Sequence, residues 1–154
     1  MPSRKHLSGR TRTVRERPPV ESAYATGRIL LDTHAWLWWQ SDDHRLGVSA
    51  RRAITEASDV FFSAASAWEI AIKASLGKLT LPPDDSIEAQ LERDGFRAIS
   101  VSVAHAETVR ALPRLHRDPF DRILVAQALC EGLVILTDDL HISRYDVRVL
   151  AAVR

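Results

Sequence analysis

The stretch Asp118-Pro119-Phe120-Asp121-Arg122-Ile123-Leu124-Val125-Ala126-Gln127-Ala128-Leu129-Cys130-Glu131-Gly132-Leu133-Val134-Ile135-Leu136-Thr137-Asp138-Asp139 decides the fold. Asp118 stands where a helix N-cap belongs, and Pro119 takes the first helical position, where its missing N–H costs nothing. The helix is predicted to run to Glu131 and to stop at Gly132. Its side chains are apolar almost all round, which predicts burial on more than one side. Cys130 falls in that pattern and reads as a small buried hydrophobe. Leu133–Leu136 then forms a continuous apolar run, the pattern of a parallel strand covered on both faces. Two acids follow it directly.

The same alternation extends back to residue 28. Ile29-Leu30-Leu31 is a short buried-strand pattern ending at Asp32, and Thr33 can cap a helix through about Gln40. A helix is expected over Ser49–Ser58, a strand at Val60–Phe62 and a helix over Ala64–Leu76, stopped by Gly77 and Pro82-Pro83. A helix at Ser86–Asp94, a strand at Ala98–Val101 and a helix at Val103–Leu112 precede the deciding stretch. Val147–Leu150 reads as an edge strand. Strand and helix in alternation predict a three-layer α/β/α sandwich with a mainly parallel central sheet and right-handed crossovers.

The chain has 154 residues, 45% hydrophobic and 27% charged, enough for one domain with a core of its own. No apolar run approaches the roughly 20 residues that span a bilayer. The basic N-terminus has no apolar stretch behind it, so no secretory signal is expected. A single cysteine forms no internal disulfide, and a reducing cytoplasm fits. The net charge of +1 is unevenly spread: residues 1–28 carry seven basic and two acidic side chains, leaving 14 basic and 18 acidic in 29–154. Residues 1–27 lack apolar periodicity and are expected to be a disordered basic tail ahead of a domain at 28–154. A mildly acidic domain must draw a polyanion through a metal or a local basic patch.

Four segments each deliver an acid where a strand ends or a helix begins: Ile29–Asp32, Ser66–Glu69, Asp118–Asp121 and Leu136–Asp139. Parallel strands bring their carboxyl ends to one edge, where the ligand crevice of an open sheet lies. Carboxylates crowded there repel one another, and a hard divalent cation with oxygen ligands relieves this. Each also has a plain structural explanation. Asp32 and Asp118 can be N-caps, and Asp121 can complement a helix dipole. Glu69 can close a capping box with Ser66, unless the helix starts at Ser63. Asp138 competes with Asp139, and Thr33 and Thr137 could add polar contacts. Trp36, Trp38 and Trp39 could stack bases, although Trp36 and Trp39 share a helix face suited to packing. Lys73 suits an i,i+4 pair with Glu69. Arg117 and Arg122 could meet phosphate or solvent. His34, His44, His105, His116 and His141 lack zinc-ligand spacing. His34 and His116 beside the motifs read as structural or substrate-adjacent.

Leu30-Leu31-Asp32-Thr33-His34-Ala35, Ser66-Ala67-Trp68-Glu69-Ile70-Ala71-Ile72-Lys73 and His116 to Ala128 resemble, in order and spacing, the PIN-domain family. The likeness is closest to the VapC-type toxins of bacterial toxin–antitoxin pairs, and the Leu76–Pro82 segment adds to it. The resemblance implies Asp32, Glu69, Asp121 and Asp139 as metal ligands and catalytic acids, with Asp118 secondary. It implies Mg2+, with Mn2+ as a substitute, and endoribonuclease cleavage leaving 5′-phosphate and 3′-hydroxyl ends. It further implies an RNA substrate, a homodimer and a VapB-like antitoxin that pushes a segment into the acidic crevice. Other readings are a catalytically silent RNA-binding or scaffolding module and a DNA-directed structure-specific nuclease. A phosphotransferase using Asp32 is disfavoured, because position 34 is His where such enzymes carry a second Asp.

Overall fold

β1 (Arg28–Leu31) occupies the centre of a five-stranded sheet in the computed structural model, which describes residues 27–81 and 85–153. Apart from Gly27, the expected tail lies outside the described residues, as do Pro82 and Pro83. The chain leaves β1 through α1 (Thr33–Gln40) and α2 (Val48–Glu56) to β2 (Asp59–Ser63). It continues through α3 (Ala64–Ser75) and α4 (Ile87–Asp94) to β3 (Arg97–Ile99). Then α5 (Val103–Ala111) and α6 (Pro119–Glu131) lead to β4 (Val134–Thr137), on the other side of β1, and a 3-10 turn (Ile142–Arg144) leads to β5 (Val149–Ala151). The strand order is β3-β2-β1-β4-β5, and every pairing is parallel. The chain therefore reverses direction across the sheet between β1 and β4, the place where an open α/β sheet leaves a crevice.

Successive strand residues face opposite sides, and the core divides accordingly. Ile29, Leu31, Val60, Phe62, Val134, Leu136 and Leu150 pack with Trp36, Ala53, Ile54, Ile70 and Leu91 from α1 to α4. Leu30 and Ile135 pack on the other side with Leu124, Val125 and Ala128 of α6. Two cores, one on each face of one sheet, make three layers. Trp36 is 1% exposed and its ring centroid lies 4.7 Å from that of Phe62.

Most element boundaries fall within one or two residues of the expected ones, and α6 spans the expected residues. β3 ends at Ile99, not Val101, because Ile99 pairs with Ser63, the last residue of β2, and no partner backbone extends further. β5 begins at Val149, the partner of Ile135, and ends at Ala151 opposite Thr137. It is an edge strand, as expected. The cap of α1 is Asp32, not Thr33. Cys130 is exposed, which corrects its reading as buried: the covered length of α6 is Leu124–Ala128, and Cys130 lies beyond it with Sγ 3.2 Å from Thr108 Oγ1.

Candidate active site

Asp32 follows β1 directly, and its N–H donates to the Leu136 carbonyl of β4 at 3.1 Å, so the backbone itself fixes it at the switch point. The residue is 6% exposed. Oδ1 accepts from the Ala35 N–H at 2.7 Å, and Oδ2 accepts a short hydrogen bond from the Thr137 hydroxyl. Burial raises its pKa, partly offset by these two donors. Thr137 Oγ1 in turn accepts from the Asp139 N–H at 3.0 Å. Thr137 thus joins the end of β1 to the loop after β4. Thr33, the other threonine of the crevice, donates to Ser66 Oγ at 3.0 Å.

Glu69 lies in the second turn of α3. That helix begins with Ser63 as N-cap, its hydroxyl accepting from the Ala65 N–H at 3.0 Å, so a capping box at Ser66 does not explain Glu69. The residue is 5% exposed, and Oε2 lies 3.2 Å from Lys73 Nζ one turn along. The expected i,i+4 pair is present, and it sets a cation beside a buried acid.

His116 joins two further acids. The Asp118 N–H donates to its Nδ1 at 3.1 Å, so that nitrogen is an acceptor and the proton resides on Nε2. Nε2 lies 2.9 Å from Asp121 Oδ2 and 2.9 Å from Asp139 Oδ2. One N–H cannot neutralise two carboxylates. Burial, then the charge of Asp118 and more weakly those of Asp139 and Asp32, push the Asp121 pKa up to about 7 against the pull of His116. Burial acts upward on Asp139 too, but its bonds from His116 and from the His141 N–H (2.7 Å) hold it below its ordinary value. Adjacent carboxyls driven in opposite directions are typical of sites that handle protons or cations.

Ligand atoms of His116, Asp121 and Asp139 all lie within 4.8 Å of one another, close enough to share one cation. Asp32, Glu69, Asp118 and Asp138 line the same cavity of about 460 Å³. The four expected acids therefore converge on one space. A donor set of oxygens with one imidazole suits a hard divalent ion, and burial followed by neighbouring negative charge, the causes of the raised Asp121 pKa, are what such an ion would offset. Asp118 also caps α6, accepting from the Phe120 N–H at 2.8 Å. Asp138 is the more exposed of the last pair, and Asp139 the one bonded to His116.

His116 was expected beside the site, and the structure puts it at its centre. Arg122 is not turned to the cavity. Its guanidinium donates to the carbonyls of Pro113 (2.9 Å) and Val109 (3.0 Å) and to Tyr145 Oη (3.1 Å), which ties down the segment leading to His116. Sequence reasoning did not single out Arg45, which lines the cavity with His34, Trp38 and Lys73. Its position in the α1–α2 connection gave no periodic signal.

The class defined by fold and site is a three-layer parallel α/β domain with an acidic crevice at its switch point. Residues 29–148 match the PIN domain family, and the chain belongs to it. Ribonuclease VapC22 of Mycobacterium tuberculosis is 30% identical over 112 residues, covering 72% of this chain and 86% of that protein. DNA-bound VapBC from Salmonella typhimurium superposes with a TM-score of 0.54 at 18% identity, over 80% of this chain and 96% of that one. VapBC2 from Rickettsia felis, bound to a DNA fragment from its promoter, gives 0.56 at 11% identity, over 79% and 96%. At these identities the two structures speak for the fold. Among the described residues no helix is long and apolar enough to cross a membrane.

Proposed function

We propose that the protein is a divalent-metal-dependent endoribonuclease, the toxin of a toxin–antitoxin pair, with Asp32, Glu69, Asp121 and Asp139 holding the metal. The convergence of these four carboxylates from separate elements on one cavity carries the reading. The relative named Ribonuclease VapC22 and the likeness to VapBC assemblies support it. Residues 28–154 are the catalytic domain, and residues 1–27 a basic extension.

Held by Asp32, Glu69, Asp121 and Asp139, Mg2+, or Mn2+ in its place, would supply an activated water for in-line attack on phosphorus and charge stabilisation for the leaving 3′-oxygen. The protein's own groups prepare that site. Thr137 and the Ala35 N–H orient both oxygens of Asp32. His116 and the His141 N–H keep Asp139 deprotonated and fixed. Burial and the neighbouring acids favour the protonated form of Asp121, and a bound cation would favour its ionised form. Lys73 neutralises Glu69 until that carboxylate is needed. No carboxylate is the nucleophile. RNA is the substrate, the working unit is a homodimer, and a VapB-like antitoxin silences it by covering the crevice.

The test is cleavage of matched RNA and DNA oligonucleotides by the wild type and Asp32→Asn, with Mg2+ or EDTA, and with the new 5′ ends sequenced. RNA cleavage lost in EDTA and in the variant is expected. Mg2+ and RNA binding without cleavage would establish the silent module instead, and preferential DNA cutting the DNA-directed nuclease. Unchanged cutting in both controls overturns the site.

A further inference from the structure

We infer that Trp38 and Arg45 form a nucleobase-stacking subsite at the rim of the acidic cavity, seating one unpaired nucleotide beside the cleaved phosphate. The inference rests on the ribonuclease reading above and adds where the substrate is gripped. α1 carries three tryptophans: Trp36 is buried against Phe62, Trp39 meets Phe96 at 5.7 Å and donates from Nε1 to Asp94 at 3.3 Å, and Trp38 too packs partly against the core. Trp38 is half-buried and lines the cavity with the acids. One turn earlier, His34 presents an exposed ring on the same helix face, 6.1 Å away by centroids. Arg45 places its guanidinium carbon 5.2 Å from the Trp38 ring centroid. Asp43 grips that guanidinium at both ends, Oδ1 taking Nε at 3.0 Å and Oδ2 taking NH2 at 2.6 Å.

An exposed arginine held in this way has lost much of the freedom that stacking would otherwise cost it. Imidazole, indole and guanidinium thus give a series of flat surfaces in the lining of a cavity that also carries the acids. Bases stack on aromatic rings and on guanidinium planes, whereas a paired base is already stacked within its helix. Since Asp43 balances the charge of Arg45, this part of the lining offers planes more than net positive charge. It selects an unpaired base and places it next to the reaction centre, so it sets which bond is cut.

The test is an abasic scan. Short unstructured RNA oligonucleotides, each with one base removed, are measured for cleavage by wild type, Trp38→Ala and Trp38→Phe. Their binding is measured in the same three proteins carrying Asp121→Asn. One abasic position should weaken wild-type kcat/KM and binding by about tenfold to a hundredfold. The same lesion should cost Trp38→Ala almost nothing more, and Trp38→Phe should keep the sensitivity, which also shows that the fold is intact. Cleavage with losses that multiply in Trp38→Ala sinks the subsite and leaves the ribonuclease standing. A Trp38-dependent abasic effect on binding, without cleavage by any protein, sinks the ribonuclease and leaves the subsite. An oligonucleotide that is neither bound nor cut refutes both.

Discussion

Removing the charge of Asp121 should stabilise the metal-free protein while abolishing its activity. In the folded chain burial and neighbouring acids raise this carboxyl from an ordinary 3.8 to about 7. The folded state therefore holds a proton that the unfolded chain releases, and stability falls as pH rises between these values. The cost is absent below about pH 3.8 and complete above about pH 7. At 1.36 kcal/mol per tenfold change in proton affinity, the gap corresponds to ~4 kcal/mol at most. Relaxation of a partly exposed side chain and proton sharing with His116 and Asp139 reduce this to about half. Asp32 is raised by burial and adds to the same slope, while lowered Asp139 opposes it at acid pH, where its favourable bonds are lost. Asp121→Asn keeps an oxygen for His116 Nε2–H and removes the charge. Thermal unfolding in EDTA should show the wild type losing stability from pH 5 to pH 8 and the variant losing much less. At ~2–4 °C per kcal/mol for a domain of this size, the variant should melt about 4–8 °C higher at pH 8. Adding Mg2+ should raise the wild type and leave the variant nearly unmoved, reversing the order. A variant that melts below the wild type in EDTA at pH 8, or a common response to Mg2+, would refute the picture of mutually repelling carboxylates.

Arg122→Ala should lower stability by about 2 kcal/mol in urea unfolding, since it removes charge-assisted bonds to the Pro113 and Val109 carbonyls, each of which keeps a backbone donor, Leu115 and Leu112 N–H. Unchanged stability with weakened RNA binding would instead return Arg122 to a phosphate-binding role. Lys73→Ala should cost the metal-free protein about 1–3 kcal/mol, since it leaves the buried Glu69 carboxylate without its cation, although Lys73 itself is partly solvated. Isothermal titration should show it binding Mg2+ several-fold more tightly, because Lys73 competes for a Glu69 oxygen; weaker binding would contradict that competition.

The fold was legible because its signals are local. Asp118 with Pro119 and then Gly132 bracket α6, and runs such as Ile29–Leu31 and Val134–Leu136 match only strands covered on both faces. The acids were legible once those strands were taken as parallel, since topology alone carries Asp32 and Asp139 to one edge. What stayed hidden depends on tertiary partners. The role of Glu69 turned on whether α3 starts at Ser63 or Ser66, and both hydroxyls are good caps. His116 lies in the connection between α5 and α6, where no periodicity operates, and its place is set by a backbone N–H and by two acids from other elements. Cys130 failed for the same reason: an apolar pattern shows which residues suit burial, not how far a covering layer extends.

The plain and the chemical explanations of Asp32 turn out not to be alternatives. The same carboxylate caps α1 through Oδ1 and turns Oδ2 to Thr137 within the acidic cavity. A helix cap needs an oxygen acceptor, which asparagine provides as well as aspartate, whereas alanine costs about 1 kcal/mol. A hard cation needs the charge. Asp32→Asn therefore separates the two demands. In EDTA it should fold at least as stably as the wild type, since it no longer buries a charge, while RNA cleavage disappears. Asp32→Ala should lose cleavage and stability together. An asparagine variant that cuts RNA at the wild-type rate would make Asp32 a cap and nothing more, and the metal would then have to be held by the remaining acids around His116.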